Sequence, residues 1–287
     1  MKELVVISGK GGTGKTTITA CLAALAKDKV LVDADVDAAD LFILLAPETR
    51  RKETFRSGQV ARIDAALCTS CAKCVDACRY GAISPQLQVD GVDCEGCGLC
   101  ARICPTQAIG MRECVSGDWF ISETRYGPFV HARLKPGGEN SGKLVTMVRQ
   151  NARLIAEDRG LDWILVDGPP GIGCPVISSL TGAAAVLIVT EPTPAGIHDM
   201  KRVAELAAYF KIPSAVCINK WDLSPEKTEE IAAFCAGEGI AFAGRIPYDR
   251  TVVDSLVKRR ILVEYAPDAP AAREVLTLWT RMQGMFA

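Results

Sequence analysis

The sequence predicts an α/β fold, a mostly parallel sheet flanked by helices, interrupted by a small α+β module. Three observations carry this. Apolar segments without polar alternation recur between helical stretches, the pattern of parallel strands covered on both faces. A glycine-rich loop, Gly9-Lys10-Gly11-Gly12-Thr13-Gly14-Lys15-Thr16, lies between the first strand and the first helix. Eight of the 13 cysteines form two consecutive runs, Cys68-Cys71-Cys74-Cys78 and Cys94-Cys97-Cys100-Cys104.

Leu4–Ser8 reads as a buried strand, Lys15–Lys27 as a helix rich in alanine and leucine, and Lys29–Asp33 as a second strand. Arg50-Arg51-Lys52 breaks the periodicity and reads as a linker. Val60–Gly110 contains two similar units, each a cysteine run followed by a short apolar closure, Tyr80-Gly81-Ala82-Ile83 and Thr106-Gln107-Ala108-Ile109. Residues 111–142 suggest hairpin and loop. Helices follow at Lys143–Arg159, His198–Phe210 and Glu226–Glu238, and strands at Trp163–Asp167, Ala185–Thr190, Ser214–Asn219 and Ala241–Ile246. These boundaries predict a discontinuous domain of residues 1–52 and 143–287, a module at 58–112, and a connecting hairpin or loop at 113–142.

At the C-terminus, Arg273–Phe286 places Val275, Leu276, Trp279, Met282 and Phe286 at helical spacing. Only Arg273 and Arg281 are basic there, so this helix is expected to dock on its own sheet rather than on lipid.

With 49% hydrophobic and 23% charged residues, the 287-residue chain has the composition of an ordinary globular protein. Its net charge of −1 gives no whole-molecule case for nucleic-acid binding. No apolar run approaches the roughly 20 residues that span a bilayer. Thirteen cysteines without a secretory leader point to metal ligation in a reducing cytoplasm rather than to disulfides.

In the loop, Gly9, Gly11, Gly12 and Gly14 let backbone N–H groups turn toward a phosphate chain without side-chain clashes. The helix N-terminus adds favourable partial charge. Lys15 is placed to reach the β- and γ-phosphates, and the Thr16 hydroxyl to ligate Mg²⁺. This is the context of a P-loop NTPase.

The segment Lys10–Thr17 resembles the deviant Walker A loop of the MinD/ParA/nitrogenase-iron-protein (SIMIBI) family. The resemblance implies that Lys10 contacts the nucleotide of a second copy, so that ATP closes a homodimer. It implies nucleotide contacts from Gly9 through Thr17 (Gly9, Lys10, Gly11, Gly12, Thr13, Gly14, Lys15, Thr16 and Thr17). Catalytic roles fall to Lys10, Lys15 and Asp35, and Mg²⁺ to Thr16, Asp35 and Asp167. Asp33-Ala34-Asp35 stands where the family keeps its first switch, and Gly168-Pro169-Pro170-Gly171 resembles the second. Asn219 and Asp222 of Asn219-Lys220-Trp221-Asp222 occupy the place of base recognition. The family match favours ATP, whereas Asn-Lys-x-Asp also spells a guanine-reading sequence; both nucleotides stay open here.

C-x₂-C-x₂-C-x₃-C occurring twice is the spacing of bacterial-type two-[4Fe–4S] ferredoxins, in which the fourth cysteine of each run serves the other cluster. That similarity assigns Cys68, Cys71, Cys74 and Cys104 to one [4Fe–4S] cluster, and Cys94, Cys97, Cys100 and Cys78 to the other. Two zinc sites are the competing reading, and they do not need the C-x₃ spacing. The first run ends Cys78-Arg79, the second Cys104-Pro105. With Lys73, this cation is expected to give the cluster ligated by Cys68, Cys71 and Cys74 the higher potential.

Cys21, Cys217 and Cys235 read as core, and Cys114 as packing or a transient ligand. Cys174 stands seven residues after Asp167, the offset of a bridging-cluster ligand in the nitrogenase iron protein. The second such cysteine would fall near Glu139-Asn140, where none is present. His131 and His198 make no metal spacing.

The whole chain resembles MinD-superfamily ATPases with an inserted ferredoxin domain, often labelled cobyrinic acid a,c-diamide synthase-like. The resemblance implies a slow, cytoplasmic ATPase holding ATP, Mg²⁺ and two [4Fe–4S] clusters. Its dimer closure would couple to electron transfer, or to metallocluster assembly, for a redox or metalloprotein partner. Neither nucleic acid nor membrane is expected as a partner. The other class of function is a ParA/MinD-like positioning or regulatory switch with the clusters as redox sensor.

Overall fold

A computed structural model describes residues 1–138 and 141–286. The chain divides into two compact units. The first contains Met1–Lys52, Phe120–Ala132 and the chain from Gly142 onward; the second contains Glu53–Trp119 and Arg133–Ser141.

The first unit is an α/β P-loop NTPase fold. Its strands are β1 (Lys2–Ser8), β2 (Lys29–Asp33), β5 (Gly127–Leu134), β6 (Trp163–Pro170), β7 (Ala185–Thr190), β8 (Ser214–Asn219) and β9 (Ala241–Ile246). The long strands β3 (Glu48–Ile63) and β4 (Ile109–Thr124) run along the chain from one unit into the other. The sheet order is β3-β4-β5-β2-β6-β1-β7-β8-β9. All pairings from β5 through β9 are parallel, and the two-residue connection between β4 and β5 makes those two a hairpin.

Side chains alternate across the sheet with period two. Leu4 and Val6 of β1 join the large core beneath α1 (Lys15–Leu25), α10 (Leu262–Tyr265) and α11 (Pro270–Gly284). On the opposite face, Glu3 meets α5 (Ser141–Arg159), where Leu144, Val145, Val148, Ala152 and Ala156 form the buried stripe. Glu3 pairs with Arg149 at 2.6 Å and Arg153 at 2.6 Å, and Arg149 Nη1 donates to the carbonyls of Ser178 and Thr181. Burial lowers the Arg149 pKa, with Glu3 acting against that shift. This pair ties β1 and α5 to the end of α6 (Cys174–Leu180).

Three local readings change. Arg50, Arg51 and Lys52 lie inside β3, not in a linker. Their exposure on the outermost strand of the order explains the charge, because edge strands carry charged side chains that discourage further pairing. Helix α7 (Pro194–Tyr209) starts four residues before His198, since Thr193 caps it by accepting from Gly196 N at 3.0 Å and Pro194 suits its first turn. In α11, Val275, Trp279 and Met282 are buried, but Leu276 is 52% exposed. No helix among the described residues is long and apolar enough to cross a membrane.

Trp279 packs against Trp163 with ring centroids 5.1 Å apart. Replacing Trp279 with Ala should cost about 3–5 kcal/mol in chemical denaturation, whereas Leu276→Ala should stay within about 0.5 kcal/mol.

Candidate functional site

The loop between β1 and α1 is held from below by β8. Asn219 Nδ2 donates to the Thr13 carbonyl at 2.8 Å. Gly14 has φ +89°, and a Cβ there would stand 2.4 Å from Asn219 Nδ2. Only glycine satisfies both the left-handed backbone and this close approach. The result is a hollow of about 460 Å³ lined by Gly11–Ile18, Asp35, Asn219 and Lys220, with an apolar wall toward Val252 and Leu262.

Lys15 is 6% exposed and sits among three carboxyls. Its Nζ lies 3.0 Å from Asp167 and 3.5 Å from Asp35. Burial opposes its charge, but Asp167, Asp35 and Asp33 together outweigh burial and raise its pKa. Asp33 is fully buried and accepts from the backbone N–H groups of Asp35 and Leu41. Burial first, then the Asp167 charge, pushes its carboxyl well above the usual range, with Lys15 opposing. Burial also raises Asp35, again against Lys15.

Thr16 Oγ1 donates to Asp167 at 2.7 Å, and Thr19 Oγ1 to the other carboxylate oxygen at 2.9 Å. The structure therefore gathers Lys15, Thr16, Asp35 and Asp167, of which Lys15, Thr16 and Asp35 line the hollow and buried Asp167 does not. Thr19 escaped the sequence reading; its one signal is the i+4 spacing from Lys15 on α1. For Glu191 the family resemblance gave only its place in Glu191-Pro192-Thr193-Pro194, a loop where that family reads nucleotide state, and no role of its own. This carboxylate, at the end of β7, pairs with Lys10 at 3.3 Å and Lys220 at 2.5 Å, and Thr193 lies 3.5 Å from Lys10 Nζ. Asp222 stands apart from the hollow's lining, accepting from the Tyr248 N–H at 2.7 Å.

The second unit brings the cysteines into two hollows. One is lined by Cys68, Cys71 and Cys74 with Cys104. The other, of about 190 Å³, is lined by Cys94, Cys97 and Cys100 with Cys78. Each hollow thus takes three thiols from one run and one from the other. The backbone repeats as well: Ser70 and Gly96 (φ +55° and +62°), Ala72 and Gly98 (+58° and +72°), and Gly81 and Gln107 (+66° and +52°) are left-handed at matching positions. Alternating left-handed residues turn successive N–H groups toward one point, a concavity suited to an anion. Holding Ser70, Ala72 and Gln107 in this conformation costs about 1–2 kcal/mol each.

No three His, Cys, Asp or Glu side chains among the described residues are gathered closely enough to grip a single metal ion. The cysteines of each set line one hollow, of about 20 Å³ for Cys68, Cys71, Cys74 and Cys104. Arg79 lines the hollow of Cys78, Cys94, Cys97 and Cys100, whereas Lys73 lines the other. The expectation that both cations serve the first set is corrected, because the crossed fourth cysteine carries its neighbour Arg79 with it.

Other sequence candidates lie elsewhere. His131 stacks between Phe120 and Phe129, and His198 is exposed beside Asp199. Cys174 is exposed at the start of α6, and Glu139-Asn140 lies outside the described residues. Cys21, Cys217 and Cys235 are buried. Cys114 donates to the Ser57 carbonyl at 2.8 Å.

Two outcomes follow. Lys15→Ala leaves Asp33, Asp35 and Asp167 without their cation, a loss of about 3–5 kcal/mol for a broken buried pair. A carboxyl whose folded pKa is raised penalises the fold above its unfolded value near 3.9. The variant's deficit in denaturation should therefore be largest at pH 7–8 and shrink toward pH 5. Gly96→Ala should destabilise the second unit by more than about 1 kcal/mol, since its Cβ would lie 2.4 Å from the Gln59 carbonyl oxygen.

The chain is 32% identical over 222 residues to an uncharacterized protein of Methanocaldococcus jannaschii, covering 76% of this chain and 78% of that one. It is 24% identical over 266 residues to an iron-sulfur cluster carrier protein of the same organism, covering 86% and 72%. Its fold is similar to that of the septum site-determining protein MinD of Pyrococcus horikoshii OT3 complexed with Mg-ADP, with a TM-score of 0.61, 16% identity, and coverage of 100% and 97%. The profile of the CobQ/CobB/MinD/ParA nucleotide binding domain matches residues 4–262. With that match spanning both flanks of the cysteine-rich unit, the chain belongs to the CobQ/CobB/MinD/ParA family of P-loop ATPases.

Proposed function

We propose that this protein is an ATP-hydrolysing iron–sulfur protein. Nucleotide-driven pairing of two copies would couple to electron transfer, or to cluster loading, for a partner metalloprotein. The observation that carries the reading is the crossed gathering of eight thiols into two hollows in a chain that also holds a P-loop site. A relative named as an iron-sulfur cluster carrier supports it. The residues fit two [4Fe–4S] clusters: Cys68, Cys71, Cys74 and Cys104 would hold one, and Cys78, Cys94, Cys97 and Cys100 the other. The left-handed backbone turns would aim N–H donors at their sulfurs, and Ile83 and Ile109 would keep water from one side. When bound, such clusters supply one-electron chemistry.

In the nucleotide site, the N–H groups of the loop and α1 would cradle the phosphates. Lys15 would exchange carboxylate partners for the β- and γ-phosphate oxygens. Thr16, freed from Asp167, would face Mg²⁺ together with Asp35 and Asp167, while Asp35 orients the attacking water. Hydrolysis breaks the bond between the γ-phosphorus and the β,γ-bridging oxygen, giving ADP and phosphate. Lys10 would leave Glu191 to reach the nucleotide of the second copy. Asn219 and the apolar wall would hold the base. Adenine is favoured because the Asp222 carboxylate, which guanine would need, already accepts the Tyr248 N–H. The buried face of α11 leaves no apolar stripe for lipid, which argues against a membrane-positioning role.

The test is anaerobic reconstitution followed by iron, sulfide, ATPase and mass measurements. The expected result is about eight iron atoms per chain, with ATP-dependent dimers that form under a non-hydrolysable analogue. Lys10→Ala should keep nucleotide binding, lose the dimer, and lower hydrolysis by roughly 100-fold or more. Stoichiometric zinc in place of iron, or undiminished hydrolysis by the variant, would overturn the reading.

A further inference from the structure

The two hollows share one backbone plan, so the differences between them act on an otherwise common background. After the fourth cysteine the matching segments are Cys78-Arg79-Tyr80-Gly81-Ala82-Ile83 and Cys104-Pro105-Thr106-Gln107-Ala108-Ile109. In the second segment, the Thr106 hydroxyl lies 3.8 Å from Cys104 Sγ, and the Ala108 N–H donates to the same sulfur at 3.3 Å. With the sulfur as a thiolate ligand, only the hydroxyl can be the donor of the first pair. In the first segment, Tyr80 replaces Thr106, and its hydroxyl oxygen instead meets Arg79 Nη2 at 2.6 Å, with the guanidinium over the ring. The charges at the rims act in the same direction. Lys73 lines the hollow of Cys104, whereas Arg79 and Glu95, of opposite sign, line the hollow of Cys78.

Hydrogen bonds to ligand sulfur and nearby positive charge both favour the more negative, reduced state of a cluster. We infer that the cluster held by Cys68, Cys71, Cys74 and Cys104 has the higher reduction potential of the pair, and that Thr106 is the positioning residue that sets this order. The inference rests on the two-cluster reading above. A single electron from a one-electron reductant such as dithionite then settles first on this cluster. The reductant loses that electron, the cluster gains one negative charge, and no bond is made or broken. An electron entering at the hollow of Cys78 would run downhill to that of Cys104. The order is the one expected from sequence, with Lys73 kept as a cause and Thr106 taking the place of Arg79.

The experiment is an anaerobic redox titration followed by electron paramagnetic resonance, on full-length protein first assayed for iron and sulfide. Failure to take up iron would remove the two-cluster reading itself; the inference is decided on protein with its full iron. Wild type should show two distinct midpoints. Thr106→Val should lower the upper midpoint and leave the lower one in place, and Thr106→Ser should restore it. A tenfold change in the reduction equilibrium appears as a shift of about 59 mV. As an independent check, Tyr80→Thr should raise the lower midpoint. Coincident midpoints in wild type, a Thr106→Val shift confined to the lower midpoint, or no shift at all with iron retained, would overturn the assignment.

Discussion

One buried ammonium governs the nucleotide site. Lys15 stands where two strands deliver three acids: Asp33 ends β2 with Asp35 two residues beyond it, and Asp167 lies in β6. Three carboxyls without a cation would be costly in so dry a place, and Asp33 shows how strongly burial resists its ionisation. The lysine makes the cluster tolerable, and its own charge is held by them. The glycine turn ahead of α1 exists to place that ammonium. Thr16 and Thr19 then fix Asp167 from the first two turns of the helix. A phosphate chain would offer Lys15 new partners and release carboxylates toward a divalent cation.

The second unit solves a different problem by repetition. Five-residue helices and short loops cannot build a large core, and the buried cluster beside the thiols consists of Ala61, Cys74, Ile83 and Ile109. Left-handed backbone at six matching positions bends each run around its hollow. Three of those positions are not glycine, so conformational strain is retained where thiols converge. Strain of this kind persists where the surroundings hold it in place, which is common at functional sites. The pseudo-repeat also makes its exceptions informative, since Thr106 and Tyr80 occupy the same place in two copies of one plan.

The sequence itself shows how far local pattern reaches. The strands β2, β7 and β8 coincide with the apolar runs, because buried parallel strands need no alternation and are bounded by polar turns, and the terminal strand β9 also keeps its expected bounds although it is partly exposed. The glycine loop and the cysteine runs are also local, since their chemistry depends on spacing within a few residues. Charge misled at Arg50-Arg51-Lys52, where an edge strand carries what a linker would. It misled again at Arg79, whose hollow depends on which run supplies the fourth thiol. The partners of Glu191 and of the Tyr248 N–H carry no local signature, because each is acquired across the fold.

By itself, then, the chain determined an α/β P-loop architecture, the loop that binds phosphate, and eight thiols at cluster spacing. These are properties of backbone conformation and short-range periodicity. Tertiary structure alone decided that Lys10 rests on Glu191 and that Asp222 is committed to a backbone N–H. Those outcomes are long-range because electrostatic and hydrogen-bond partners are chosen by proximity in space, and strand order rather than sequence separation sets that proximity.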